Sequence, residues 1–424
     1  MGVVSELLAD VPLPRMRKVR QRFDPVCMEA SEIPGRIEKE LHRKEISDTV
    51  RPGMEIAITA GSRGITHIPL ILSALADEVK RRGARPFLVP AMGSHGGATA
   101  EGQAEVLRGY GITEEAVGCE IRSSMETVVV GETEDGRPVY VDKYAAEADG
   151  IIVCGRIKPH TGYRGKYESG LMKMMAIGLG KQKGAEAIHK DGFGEMAKNI
   201  PMYGTAVLKN TPVLFGLAIL ENAYDQTREL LALTPEEIVE QEPKLLECAK
   251  AYMPGLLFRD CDVLVVDRIG KNISGDGMDP NITGRFPTPH AQGGIRAQRV
   301  VVLDLTEETH GNACGIGLAD CTTRRLFSRM DLEATYPNAI TNTVVGELKI
   351  PMMMKNDREA IQLGIKSCNG IDERNPRILH IRDTLSMEEI EVSGAYDQEV
   401  EEHPSLVPLG DLEEWPFDEN GNLL

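Results

Sequence analysis

Between residues 54 and 170, short runs of β-branched and aliphatic residues alternate with stretches of helical periodicity. This alternation is what most limits how the chain can fold. It points to α/β folding, since neighbouring strands of a parallel sheet need a crossover, usually a helix, between them. Residues 54–59 (MEIAIT) read as a strand, followed by the turn Gly61-Ser62-Arg63-Gly64. Residues 67–82 carry apolar side chains at helical spacing and stop at Gly83, a helix-end signal. A strand at 86–90, a glycine-rich loop at 92–99 (MGSHGGAT) and a helix at 100–109 come next. Further strands are expected at 127–130, 138–141 and 150–154, then a long polar loop over 156–170.

A chain of 424 residues exceeds one ordinary core and reads as two domains. The helix at 235–252 starts with Thr234 as N-cap, Pro235 at its first position and Glu237 placed for a capping box. Met253-Pro254-Gly255 ends it, and 262–267 (DVLVVD) opens a new strand. The expected fold is α/β, as two α/β domains with mainly parallel sheets and an active-site cleft between them. Residues 1–257 form the first domain and 258–424 the second. In the second, strands are expected at 299–305 and 377–381, with helices in parts of 318–345 and at 357–365. The acidic stretch after Val400 reads as a solvated surface segment.

With 42% hydrophobic and 27% charged residues, the composition is that of a globular protein. A formal charge of −17 argues against nucleic acid or an anionic membrane as the main partner. No apolar stretch reaches the length of a membrane span, and the first residues lack the apolar core and cleavage site of a signal peptide. Eight scattered cysteines without a CxxC pair are neither a disulfide framework nor a zinc finger, so a cytoplasmic location is expected.

The unusual polar residues lie in loops that follow strands. Arg63 follows the first, His95 (in GSHGG) the second, and His160 (in KPHTG) comes after 150–154, while His189 closes GLGKQKGAEAIHK. In an open parallel sheet such loops share the carboxyl edge of the strands, where ligands bind. Two loop histidines suit acid–base work on both faces of a small substrate, because imidazole titrates near neutrality. The 178–184 segment is a G-x-G-x-x-x-G turn, one residue longer than the dinucleotide fingerprint. It still has the form of a helix-entry turn able to hold an anion, with Lys181 and Lys183 adding positive charge.

In this order (GSR, GSH, a Pro-His loop, then Lys173 with His189 sixteen positions on) the chain resembles the nickel-pincer nucleotide lactate racemases. The resemblance covers most of 50–200 and, more loosely, the remainder. It implies a racemase or epimerase of a small 2-hydroxy acid, working through proton abstraction at the hydroxyl and hydride transfer to and from the cofactor. That cofactor is a nickel-pincer nucleotide, a pyridinium mononucleotide carrying nickel. The resemblance implies Lys173 as the covalent tether of that nucleotide, His189 as the nickel ligand, and His95 and His160 as the catalytic pair, with Ser62, Arg63 and Gly180 near the cofactor. The substrate carboxylate needs a cation, for which Arg63, Lys271 and Arg285 are the candidates. Cofactor-biosynthesis proteins are implied as partners, and a homo-oligomer is left open.

The chain departs from the family where Ala60 replaces an aspartate of the first loop. The loop from His160 to Lys173 is longer and carries Tyr163, Arg164, Lys166 and Glu168, and the 270–279 segment differs in its residues. These departures detach the substrate from lactate itself. Two other readings stand beside this one: an NAD-linked hydroxy-acid oxidoreductase, and a non-catalytic small-molecule or cofactor-binding homologue.

Overall fold

The computed structural model describes residues 2–424. They fall into two compact units, Asp24–Met253, and the residues up to Phe23 together with Pro254–Leu424. In both, a mainly parallel sheet is flanked by helices, as α/β alternation requires.

In the Asp24–Met253 unit, six strands lie in the spatial order Glu120–Ile121, Arg85–Pro90, Glu55–Ala60, Gly150–Arg156, Val213–Glu221 and Thr227–Leu233. All pairs are parallel except the last. The central strands are nearly continuous apolar runs because helices cover both faces. One layer includes Ile68–Arg81, whose Ile68, Ile71, Leu72, Leu75 and Val79 recur at helical spacing and are all buried. Pro69 fits its first turn, and Gly83, at φ +77°, turns the chain out of its end. The other layer includes Met196–Asn210 and Pro235–Tyr252. The latter has its capping box: the Thr234 hydroxyl accepts the Glu237 amide, and the Glu237 carboxylate accepts the Thr234 amide. Thr127–Glu132 and Pro138–Asp142 pair only with each other, as a small antiparallel ribbon apart from the main sheet.

In the other unit the Asp260–Ile269 strand lies between Arg296–Leu305 and Ile378–Ile381, parallel to both. Cys321–Thr323 and Met352–Met354 extend one side. On the other side lie Glu389–Ser393, then Met16–Gln21, then Leu406–Pro408, all joined antiparallel. The sequence places residues 1–23 with the first half, but Met16–Gln21 is a strand inserted between two C-terminal strands. Its partners are more than 360 residues away, so local pattern carries no trace of the pairing.

The segment after Val400 is also more than a solvated tail. Trp415 is buried, its indole N–H donates to the Pro14 carbonyl at 2.9 Å, and its ring lies 5.1 Å from that of His380. His380 bridges Asp267 (2.6 Å) and Glu391 (2.8 Å) across three strands. No helix among the described residues is long and apolar enough to cross a membrane. The eight cysteines are all free thiols.

Candidate active site

In the Asp24–Met253 sheet, the strand order reverses between Glu55–Ala60 and Gly150–Arg156. The loop after one leads to Arg85–Pro90 and the path after the other to Val213–Glu221. Such a switch point opens a crevice at the carboxyl ends of the strands. Met174 lies over it, since a Cβ placed on Gly61 or on Gly155 would each stand 3.2 Å from the Met174 methyl. Lys173 immediately precedes Met174 in the turn that covers the switch point.

That turn has unusual geometry. Leu171–Lys173 is one helical turn, and Met174–Gly178 continues it with wide i→i+5 bonding, the Leu179 amide reaching the Met174 carbonyl at 2.9 Å. Wide turns of this kind concentrate at functional sites. Gly178 makes it fit: a Cβ there would lie 2.6 Å from the Ala91 carbonyl oxygen. At the start of the turn, the buried Glu242 carboxyl accepts the Met172 amide at 3.0 Å and packs over Gly170. Burial pushes Glu242 up to about 8, and the Met172 amide opposes this only in part.

The polar loop beyond Arg156 is closed by paired backbone bonds between Lys158 and Ser169 (3.0 and 3.1 Å). Inside it, the fully buried carboxylate of Glu168 accepts the His160 amide at 2.7 Å and pairs with Arg164 (3.3 Å) and with Lys250 (3.2 Å). Tyr163, also fully buried, lies 4.5 Å from the His160 ring, and its hydroxyl donates to the Glu168 carbonyl. These buried contacts give His160 a fixed position on a loop.

His189 ends the helix Lys181–His189, and its Nδ1 donates to the Ala185 carbonyl at 2.7 Å. A carbonyl can only accept, so the ring proton is on Nδ1 and the lone pair on Nε2, the form a metal ligand needs. Phe193 lies beside both site histidines, 5.8 Å from His189 and 6.2 Å from His160 between ring centres. Burial lowers the proton affinity of both rings, that of His160 well below the usual histidine range. The Lys173 ammonium acts on both in the same direction. Lys173, His160 and His189 thus share one electrostatic environment.

His95 is exposed on a loop that packs against the same turn, with the Gly93 amide donating to the Gly178 carbonyl at 3.2 Å. Its Nδ1 donates to the Met92 carbonyl at 2.7 Å. Gln103 steadies the loop by donating to the carbonyls of Gly93 (2.9 Å) and His95 (3.3 Å). Gln103 is fixed in turn by the buried ammonium of Lys181, which donates to its side-chain oxygen at 3.0 Å and pairs with the buried Asp142 at 3.1 Å. Lys181 also donates to the Pro90 carbonyl. One buried cation therefore connects the His95 loop to the first turn of the His189 helix. Burial and Asp142 take up its charge inside the protein, so Lys181 is not the cation of an anion site at 178–184.

The remaining candidates divide. Arg63 is exposed in the loop after Glu55–Ala60, beside Gly61 and the Met174 turn, with Nη1 3.1 Å from the Ser62 carbonyl. Ser62 also meets the Tyr110 hydroxyl through that carbonyl. Gly180 is buried, and a Cβ there would meet Gly184 at 2.9 Å and the Ala176 carbonyl at 3.0 Å, so its need for glycine is internal packing. Lys271, in the other unit, donates to the Gly275 carbonyl. It stands near Asp276 and Glu347, whose carboxyl burial and Asp276 raise to about 7. Arg285 pairs with Asp320 at 2.8 Å and with the carbonyls of Ala297 and Gln298. These groups lie at the amino ends of Arg296–Leu305 and Cys321–Thr323, so Arg285 acts in the fold. Sequence reasoning missed Phe193, Glu242 and the Lys181–Asp142–Gln103 group. Glu168 was visible only as a loop difference.

Among the described residues, no cluster of three or more His, Cys, Asp or Glu side chains could hold a metal ion. A metal at His189 would thus take its other donors from a bound group. One imidazole beside a lysine suits nickel on a sulfur-bearing, lysine-attached carrier.

Residues 9–199 match the family model described as the lactate racemase N-terminal domain. Among solved structures, the chain is similar to the lactate racemase apoprotein from Thermoanaerobacterium thermosaccharolyticum, at 14% identity and a TM-score of 0.51 over 86% of this chain and 94% of that one. A protein from Thermotoga maritima is similar at 12% identity and a TM-score of 0.48, over 66% of this chain and 72% of that one. Comparison with curated proteins finds no match.

Proposed function

We propose, from the match of residues 9–199 to the lactate racemase N-terminal domain, that the chain is a member of the lactate racemase family and a racemase or epimerase of a small 2-hydroxy acid. One observation carries this reading: the rings of His160 and His189 lie on Phe193, at 6.2 and 5.8 Å, and the His189 helix follows directly on the turn that bears Lys173, while His189 presents an Nε2 lone pair. That combination suits a cofactor attached at Lys173 and bound through a metal at His189.

In this reading Lys173 carries the nickel-pincer nucleotide through its side-chain nitrogen, and His189 ligates the nickel through Nε2. When bound, that group supplies the acceptor and donor for the hydride of the substrate C2–H bond. The chain's own residues do the rest. His95 and His160 handle the hydroxyl proton, one on each face of the planar keto acid that lies between the two mirror forms. Arg63 is the cation for the substrate carboxylate. Phe193 and Tyr163 exclude water from the rings they touch, which strengthens polar contacts to the substrate. The nucleotide itself is supplied by cofactor-biosynthesis proteins.

Intact mass after co-production with those proteins tests the tether. The wild type gains the mass of the nucleotide, and Lys173→Ala does not. An unchanged adduct on Lys173→Ala would put the attachment elsewhere and remove the reading.

A further inference from the structure

The hydrogen bonds at the two histidines of the proposed pair assign their tautomers, and the two differ. Nδ1 of His95 faces the Met92 carbonyl oxygen at 2.7 Å. The oxygen can only accept, so Nδ1 carries the proton and Nε2 the lone pair. Nδ1 of His160 faces the Gly162 amide nitrogen at 2.9 Å. The amide can only donate, so here Nδ1 holds the lone pair and the proton of the neutral ring is on Nε2.

We propose that His95 and His160 are not interchangeable: His95 presents Nε2 as the proton acceptor, while the Gly162 amide keeps His160 an Nε2–H donor. This rests on the reading of the two as the pair that handles the substrate hydroxyl.

The contact that sets His160 is built into the fold. Gly162 is buried, and a Cβ there would lie 2.8 Å from the Phe193 ring, so the peptide has little room to move. Glu168 holds the His160 amide, and Tyr163 covers the ring. Flipping the ring would bring Cδ2–H against the Gly162 amide and lose the bond. Protonating Nδ1 would oppose two N–H groups. Burial and the nearby Lys173 ammonium disfavour the imidazolium as well.

The consequence is a division of labour. The enantiomer whose hydroxyl faces His95 can pass its proton to the Nε2 lone pair, leaving His95 as imidazolium. The same hydroxyl facing His160 meets a donor. His160 accepts that hydroxyl proton at Nε2 only after its own proton has moved to Nδ1 and the Gly162 peptide has turned away, and in the reverse direction it returns a proton only from the imidazolium so formed. Gly162 is thus a positioning residue, acting through the tautomer it selects.

Long-range 1H–15N correlation on the 15N-labelled protein as purified, at neutral pH, reads both tautomers without cofactor, with His95→Gln and His160→Gln used for assignment. We expect the proton on Nδ1 in His95 and on Nε2 in His160. The same tautomer in both rings, or a doubly protonated His160, would overturn the proposal. The functional reading fails separately: if cofactor-loaded protein inverts no 2-hydroxy acid while the two tautomers still differ, that reading falls and the tautomer assignment stands.

Discussion

The Glu242 carboxyl accepts the amide of Met172 at 3.0 Å, one residue before the lysine proposed to carry the cofactor. Burial raises Glu242 to about 8, so it is mostly protonated in the folded protein at neutral pH. In the unfolded chain an ordinary glutamate ionises near pH 4.3. Folding therefore takes up a proton, and this group's contribution to stability falls as pH rises from about 4.3 to about 8. We expect Glu242→Gln, which keeps the acceptor for Met172, to raise stability at pH 7 by about 1 kcal/mol or more and to flatten the pH dependence below pH 8. Denaturant unfolding at several pH values is the measurement. An unchanged slope would mean Glu242 is ionised in the fold.

Lys181 and Asp142 form an ion pair with both side chains fully buried. Burial pushes each toward its neutral form, and the partner opposes it. Removing one partner strands the other, at a typical cost of about 3–5 kcal/mol. Lys181→Met should therefore lower Tm strongly. Adding Asp142→Asn should restore part of the loss, because it removes the stranded charge and keeps the cap on Ala145. No recovery in the double variant would place the role of Lys181 with Gln103 and Pro90 alone.

His380 behaves oppositely to the site histidines. Burial alone would lower it, but Asp267 and Glu391 outweigh burial and raise it to about 10. Its contribution to stability is fully present below about pH 6.5, the unfolded value, and is lost as pH rises through about 10. The Glu391 partner is held below the usual carboxylate range, chiefly by its bond to His380, so its own contribution is lost in acid. At pH 6.5 the NMR ring signal of His380 should be that of imidazolium, and those of His160 and His189 that of neutral imidazole. Finding His380 neutral there would dissolve the bridge that joins three strands.

The extent to which the sequence exposes this architecture follows from the range of each interaction. The helix at Pro235–Tyr252 is legible to the residue because its cap and its stop lie within a few positions. The strand Gly150–Arg156 is legible because both faces are buried, leaving an uninterrupted apolar run. Val213–Glu221 is buried as deeply, but Gly216 and Ala218 weaken its pattern, and short apolar runs do not separate strand from helix. Met16–Gln21 (MRKVRQ) carries three basic residues among six and declares nothing of its distant partners. At the site, the Lys173 and His189 spacing is visible, as is the run of loops after strands. The buried acids Glu168 and Glu242, and the pairing of Lys181 with Asp142, are not. Each joins residues tens of positions apart, and in sequence each looks like an ordinary surface charge.

The central claim is that the protein inverts C2 of a 2-hydroxy acid by moving a hydride, with His95 and His160 moving the hydroxyl proton. The most direct measurement incubates cofactor-loaded protein with single enantiomers of 2-hydroxy acids deuterated at C2, and follows configuration and label together. The account predicts a mirror-image product, or an epimer, that keeps most of its deuterium. It also predicts a rate lower by about 10²–10⁴ in either His95→Ala or His160→Ala. Full loss of label to solvent would contradict the hydride route. Near-normal turnover in either variant would contradict the histidine pair, and no inversion of any acid by protein that carries the nucleotide would contradict the account itself.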